Sequence, residues 1–123
     1  MPKVFNVGLI GCGHISETYF KAHDYFNNIE IIKCADINLK TAQKCAGENN
    51  IQSSSVEELL ADENIDIILN LTIPKAHYEV AKKSLEHCKH VYSEKPMAVT
   101  FDDGRNLLSI AKEKNLYIGN APD

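Results

Sequence analysis

One stretch limits what this chain can fold into more than any other: Gly8-Leu9-Ile10-Gly11-Cys12-Gly13-His14-Ile15-Ser16. A strand-like run from Val4 to Ile10 ends in two glycines one residue apart. A helical pattern follows at once, with Ile15, Tyr19, Ala22 and Phe26 recurring at the spacing of one helix face. The same alternation then continues along the chain. Ile29 to Ala35 reads as a strand, and Leu39 to Asn49 as a helix with Asn38 as its N-cap. A short third strand falls around Ile51, and Ser55-Val56-Glu57-Glu58 is a capping box for a helix ending at Ala61. Ile65 to Leu71 is a nearly continuous apolar strand, and Pro74 sits near the start of a helix reaching about Cys88. His90 to Ser93, a helix from Phe101 to Asn115 capped by Thr100, and a strand from Leu116 to Ile118 complete the series. Strand and helix in strict alternation predict an α/β fold: a doubly wound, mostly parallel sheet of about six strands with helices on both faces.

Composition narrows the function classes. A length of 123 residues suits one domain, here residues 1–123. Apolar residues at 44% and charged residues at 24% are ordinary globular usage, which argues against disorder. A net charge of −4 gives no basic face, so no nucleic-acid partner is expected. The apolar runs are too short for a membrane span, and no leader pattern precedes Val4. Cys12, Cys34, Cys45 and Cys88 form no C-x-x-C pair, so they read as reduced thiols of a cytoplasmic protein.

Gly11-x-Gly13-x-x-Ser16, placed between a strand and a helix, is the dinucleotide fingerprint with serine in the third glycine position. Each residue type has a physical task. Gly11 permits the tight turn, and Gly13 lacks the Cβ that would hold a pyrophosphate off the backbone. The N–H groups at the helix start, near His14 and Ile15, face the anion. Gly11, Cys12, Gly13, His14 and Ile15 are therefore candidate cofactor-binding residues. Asp36, at the end of the second strand, is placed to accept both hydroxyls of an adenosine ribose and to repel a 2′-phosphate, so NAD is preferred over NADP. Its competing role is a helix cap. Lys40, close by, softens the discrimination. Gly8, inside the first strand, is assigned to close packing.

Two further stretches fall at strand C-terminal ends, where open α/β sheets bind ligands: Asn70-Leu71-Thr72-Ile73-Pro74-Lys75-Ala76-His77 and His90-Val91-Tyr92-Ser93-Glu94-Lys95-Pro96. With the glycine turn they resemble the Gfo/Idh/MocA oxidoreductases, the glucose–fructose oxidoreductase and inositol dehydrogenase family. The Glu94-Lys95-Pro96 tripeptide after Lys89-His90-Val91 carries most of the likeness, and Thr72-x-Pro74-x-x-His77 adds to it. The resemblance implies a Rossmann domain that binds NAD(P) and, in the full protein, a second α/β domain that covers a sugar, polyol or related hydroxylated substrate. It implies that Lys95 contacts substrate and nicotinamide as the catalytic residue, with Glu94 on the nicotinamide ribose or orienting Lys95. Thr72 and Pro74 would line the nicotinamide pocket, and His77, at the start of the following helix, would be a further cofactor-binding residue. Read without the family, Glu94 and Lys95 are a surface ion pair and His77 is a structural histidine.

Two departures stand out. The family usually carries glycine where this chain has Cys88, so the turn before Lys89 is expected to differ slightly. The second domain, with the acid–base residue it supplies in the family, has no counterpart in 123 residues, so the fragment is expected to bind cofactor better than it turns over substrate. The full-length protein is expected to be a homo-oligomer. His87, Cys88 and His90 are close in sequence, but helix end and strand point them apart, and no metal site is expected. Besides a dehydrogenase cofactor domain, the same residues fit a non-enzymatic dinucleotide sensor or a stand-alone interaction module.

Overall fold

Six strands, β1 (Phe5–Ile10), β2 (Ile29–Ala35), β3 (Gln52–Ser54), β4 (Ile67–Asn70), β5 (His90–Ser93) and β6 (Ile118–Asn120), form one sheet in the order β3-β2-β1-β4-β5-β6. Every pairing is parallel. The chain is described by a computed structural model over residues 4–13, 19–20, 28–72, 74–93 and 101–120. The expected doubly wound α/β fold is therefore present. Its direction of winding reverses between β1 and β4, which opens a crevice above their C-terminal ends.

Period-two alternation along the strands supplies two cores. Val7, Leu9, Ile31, Cys34 and Leu69 face one side, where Ala42, Cys45 and Ala46 of helix α1 (Leu39–Asn49) cover them. Tyr19 and Phe20 pack against the same core; the rest of the helix expected over Ile15 to Phe26 lies outside the described residues. Ile10, Ala35 and Ile68 face the other side, against Leu59 and Leu60 of helix α2 (Val56–Ala61). There Gly8 answers a steric need: a Cβ on it would meet Leu59 Cδ2 at 2.7 Å and Ile65 Cδ1 at 2.9 Å. Helices α3 (Pro74–Glu86) and α4 (Phe101–Glu113) join Ala81, Leu85, Leu107 and Ala111 to Val91 of β5.

Caps mark the helix boundaries. Asn38 caps α1 by accepting from the Lys40 and Thr41 N–H groups at 3.0 and 3.2 Å. Ser55 caps α2 by accepting from the Glu58 N–H at 3.1 Å, and its hydroxyl donates to the Glu58 carboxylate, also at 3.1 Å. Asn50, Cys88 and Asn115 end α1, α3 and α4 at φ of 55, 61 and 57°. In each case the next residue's N–H reaches a carbonyl five residues back: Ile51 to Ala46, Lys89 to Ser84 and Leu116 to Ala111. Cys88 thus makes the same left-handed turn as the two asparagines, which corrects the expectation that the turn would differ. Hydrogen bonds from the Cys88 N–H to Leu85 O at 2.9 Å and from the Lys89 N–H to Ser84 O at 3.1 Å hold a conformation that glycine takes without strain.

Two strand boundaries also move. β4 is Ile67–Asn70, shorter than the apolar run from Ile65 to Leu71, because its ladder with β5 opens only at the Ile67–His90 pair. β6 starts at Ile118, since Leu116 closes the end of α4 and the Tyr117 N–H donates to His90 Nδ1 at 3.0 Å.

At the opposite edge from the crevice, buried Lys89 donates to the carbonyls of Asp62 and Ile65 at 2.7 and 2.8 Å. Burial pushes its ammonium below the usual lysine range, and the Asp62 charge opposes that shift. Lys33 and Asp62 form an ion pair at 2.6 Å beside it, which ties β2 to the end of α2.

Candidate functional site at the β1–β4 crevice

Gly11 leaves β1 at φ +103°, a conformation that favours glycine. Space forbids a side chain there as well, because a Cβ would lie 2.6 Å from the Leu71 carbonyl oxygen. The Gly11 N–H donates to Ala35 O at 2.9 Å and the Leu71 N–H to Ile10 O at 2.8 Å, so the turn is held to both neighbouring strands. Gly13 is the opposite case. It is exposed, and among the described residues a Cβ on it would meet nothing within 4 Å. Its missing side chain leaves room for a ligand and relieves no crowding among those residues.

The Asp36 carboxylate ties this turn to β2. Its Oδ2 accepts from the Cys12 N–H at 2.8 Å, and its Oδ1 accepts from the Asn38 N–H at 2.9 Å. Asp36 is therefore not the cap of α1; that place belongs to Asn38. A carboxylate has about four acceptor positions, and two of them remain for a ligand.

Across the crevice, Asn70 organises the loop from β4 to α3. Fully buried, it donates from Nδ2 to the His77 carbonyl at 3.0 Å. Its Oδ1 accepts from the Thr72 hydroxyl at 2.6 Å and from the Thr72 N–H at 3.3 Å. Thr72 is thereby fixed at the crevice wall. Asn70 did not stand out in the sequence as a site residue. The available signal was an amide in an apolar strand, which must find partners when buried.

Ile10, Gly11, Gly13, Asp36, Ile37, Val56, Leu71, Thr72, Ala76 and Val80 line one groove of about 260 Å³. Of the sequence candidates, it brings together Gly11, Gly13, Asp36 and Thr72, with the Cys12 backbone behind the carboxylate. Pro74 is the first residue of α3. His77, 1% exposed, lies one turn further along that helix and is not in the groove lining. His14, Ile15, Glu94 and Lys95 lie outside the described residues. A largely apolar groove with one carboxylate and an open glycine turn fits an adenosine diphosphate moiety: flat wall for the base, acceptor for the ribose, bare backbone for the phosphates.

The Cys12 side chain points away from the groove. Its Sγ packs with those of Cys34 and Cys45, all within 4.8 Å of one another. It donates to Ala35 O at 3.5 Å, and Cys34 Sγ donates to Ala42 O at the same distance. The interaction between the Cys12 and Cys34 sulfurs pulls the Cys34 thiol below its usual range, against burial, while that same interaction and burial push Cys12 far up. This cluster escaped the sequence reading because residues 12, 34 and 45 fit no ligand spacing.

Among the described residues, no helix is long and apolar enough to cross a membrane. The family model for the oxidoreductase family with an NAD-binding Rossmann fold, Gfo/Idh/MocA, matches residues 5–121. The chain is 30% identical to 1,5-anhydro-D-fructose reductase of Ensifer adhaerens over 91% of its own length and 34% of the reductase. It superposes on an NAD-binding protein from Listeria innocua with a TM-score of 0.90 and 28% identity, over 96% of this chain and 35% of that one. A biliverdin reductase from Synechocystis, solved with biliverdin and NADP+, gives a TM-score of 0.87 and 25% identity over 94% of this chain and 37% of that one. The chain thus spans about a third of the length of these proteins.

Proposed function

The chain belongs to the Gfo/Idh/MocA oxidoreductase family, and from that premise we propose that residues 1–123 are the cofactor domain of an NAD-dependent dehydrogenase acting on a sugar, polyol or related hydroxylated substrate. One observation carries the choice of cofactor. The Asp36 carboxylate lines the groove next to Gly11 and Gly13, and each oxygen already holds one backbone N–H. Its remaining acceptor positions suit two ribose hydroxyls, and its charge repels a 2′-phosphate.

In this reading, Gly11 and Gly13 admit the pyrophosphate, the N–H groups of His14 and Ile15 help to hold it, and Cys12, whose own N–H is held by Asp36, keeps the turn in place. Ile37 and Val56 flank the adenosine. Thr72, set by Asn70, and Pro74 border the nicotinamide, and His77 supports their loop from within the fold. Bound nicotinamide supplies the hydride acceptor or donor. Lys95 contacts the substrate hydroxyl and holds or releases its proton, with Glu94 orienting it. A second domain closes the substrate site and brings the partner acid–base group, and the full-length protein assembles as a homo-oligomer.

Calorimetric titration of the chain with NADH and NADPH tests this. Tighter binding of NADH, lost in Asp36→Ala, is the expected result. Equal or tighter NADPH binding overturns the specificity, and no binding of either overturns the assignment of the groove.

A further inference from the structure

Three thiols meet directly behind the dinucleotide turn, and each comes from a different element. Cys12 lies in the turn after β1, Cys34 is the penultimate residue of β2, and Cys45 faces the sheet from α1. All three are buried, at 8, 0 and 8% exposure. Parallel winding brings them together: β1 and β2 end at the same edge, and α1 returns across their common face. Their sulfurs lie within 4.8 Å of one another, and among the described residues no imidazole or carboxylate joins the group.

We propose that Cys12, Cys34 and Cys45 form a binding site for one soft monovalent metal ion, Cu(I). A metal–sulfur bond of about 2.3 Å sets the sulfurs of a trigonal site about 4 Å apart, so small side-chain adjustments suffice. Thiolate donors select soft ions, and a three-sulfur set suits Cu(I) better than Zn(II), which takes four ligands. Thiols entering coordination give their protons to solvent, so binding strengthens as pH rises. The Cys12 N–H is held by Asp36, so an ion on the Cys12 sulfur restrains the same residue that carries the phosphate turn.

Anaerobic titration of Cu(I) against a colorimetric copper chelator tests the proposal on the 123-residue chain. One equivalent per chain is expected to compete with the chelator. Cys88→Ser, which alters the exposed cysteine, leaves this unchanged, and Cys12→Ser, Cys34→Ser and Cys45→Ala each weaken it at least tenfold. X-ray absorption at the copper edge of the unaltered chain gives a readout that needs no variant, with three sulfur neighbours expected. A shell containing nitrogen or oxygen, copper lost on Cys88→Ser, or no competition with the chelator would each overturn the site.

Discussion

The Asp36 carboxylate receives the Cys12 backbone N–H at 2.8 Å across 24 residues of sequence. This single bond joins the two halves of the cofactor reading, because it fixes the turn that admits phosphate to the residue that selects the ribose. Asp36→Ala removes the acceptor of both the Cys12 and the Asn38 N–H groups. Charge-assisted bonds of this kind contribute about 1.5–3 kcal/mol each when they cannot be replaced by water. We expect at least tenfold weaker NADH binding and a loss of about 1–2 kcal/mol in stability. Asp36→Asn, which keeps an acceptor oxygen, retains more stability but loses the preference for NADH over NADPH. Parallel calorimetry and urea unfolding of the two variants check this.

The two glycines of the turn separate folding from binding. Gly11→Ala places a Cβ 2.6 Å from the Leu71 carbonyl oxygen at φ +103°. Left-handed strain alone costs about 1–2 kcal/mol, and the backbone overlap adds to it. Gly13→Ala meets nothing within 4 Å among the described residues. Its stability stays within about 0.5 kcal/mol of the parent, while NADH affinity falls about tenfold or more as the Cβ occupies the pyrophosphate approach. Unfolding midpoints and NADH titrations on both variants distinguish the roles, and a Gly13 variant with unchanged affinity would refute the assignment.

Cys88→Gly should stabilise the chain. Cys88 holds φ 61° at the end of α3, where a side chain costs about 1–2 kcal/mol and glycine costs nothing sterically. Glycine's greater freedom in the unfolded chain takes back about 0.5–1 kcal/mol. The net gain is about 0.5–1 kcal/mol, read as a higher urea midpoint with an unchanged slope.

Acid stability depends on the Lys33–Asp62 pair. A hydrogen bond from Lys33, helped by the Asn64 N–H, holds the Asp62 carboxyl below its ordinary value of 3.8. A depressed carboxyl pKa contributes stability that is present above the unfolded value and lost as pH falls through the folded one. The contribution is therefore complete near neutrality, begins to fall near about pH 4 and is gone only once the pH is below the folded value. Asp62→Asn should lower stability at pH 7 by about 1 kcal/mol or less, as befits a partly exposed pair. The two proteins should converge at the acid end of a pH series of unfolding curves.

Most of the fold was legible because its determinants are local. The Ile29–Ala35 and His90–Ser93 strands and the Leu39–Asn49 helix stand at the boundaries that apolar spacing and the Asn38 cap imply. Legibility failed where a distant partner sets the boundary. Leu116 and Tyr117 are apolar enough for a strand, yet helix closure onto Ala111 takes Leu116 and a bond to His90 takes the Tyr117 N–H, leaving only the Tyr117 carbonyl to accept from Val91 of β5. Within the site, Gly11, Gly13, Asp36 and Thr72 were visible as motif members. The Asn70 clamp was not, and Gly8 was legible as a close-packing position while its partner Leu59 was not, since each depends on what lies opposite.

By itself the sequence determined the alternation of strands and helices, the glycine turn at the first crossover and the acidic residue that follows the second strand. Hydrophobic period, caps and backbone sterics act over a few residues, so they can be read in one dimension. Only the tertiary structure decided that Asp36 would hold the Cys12 N–H, and that Cys12, Cys34 and Cys45 would share one buried corner. Those contacts follow from how parallel strands bring their C-terminal ends to one edge and how a helix crosses back over them. Sheet order and register fix that geometry, and no local spacing encodes it.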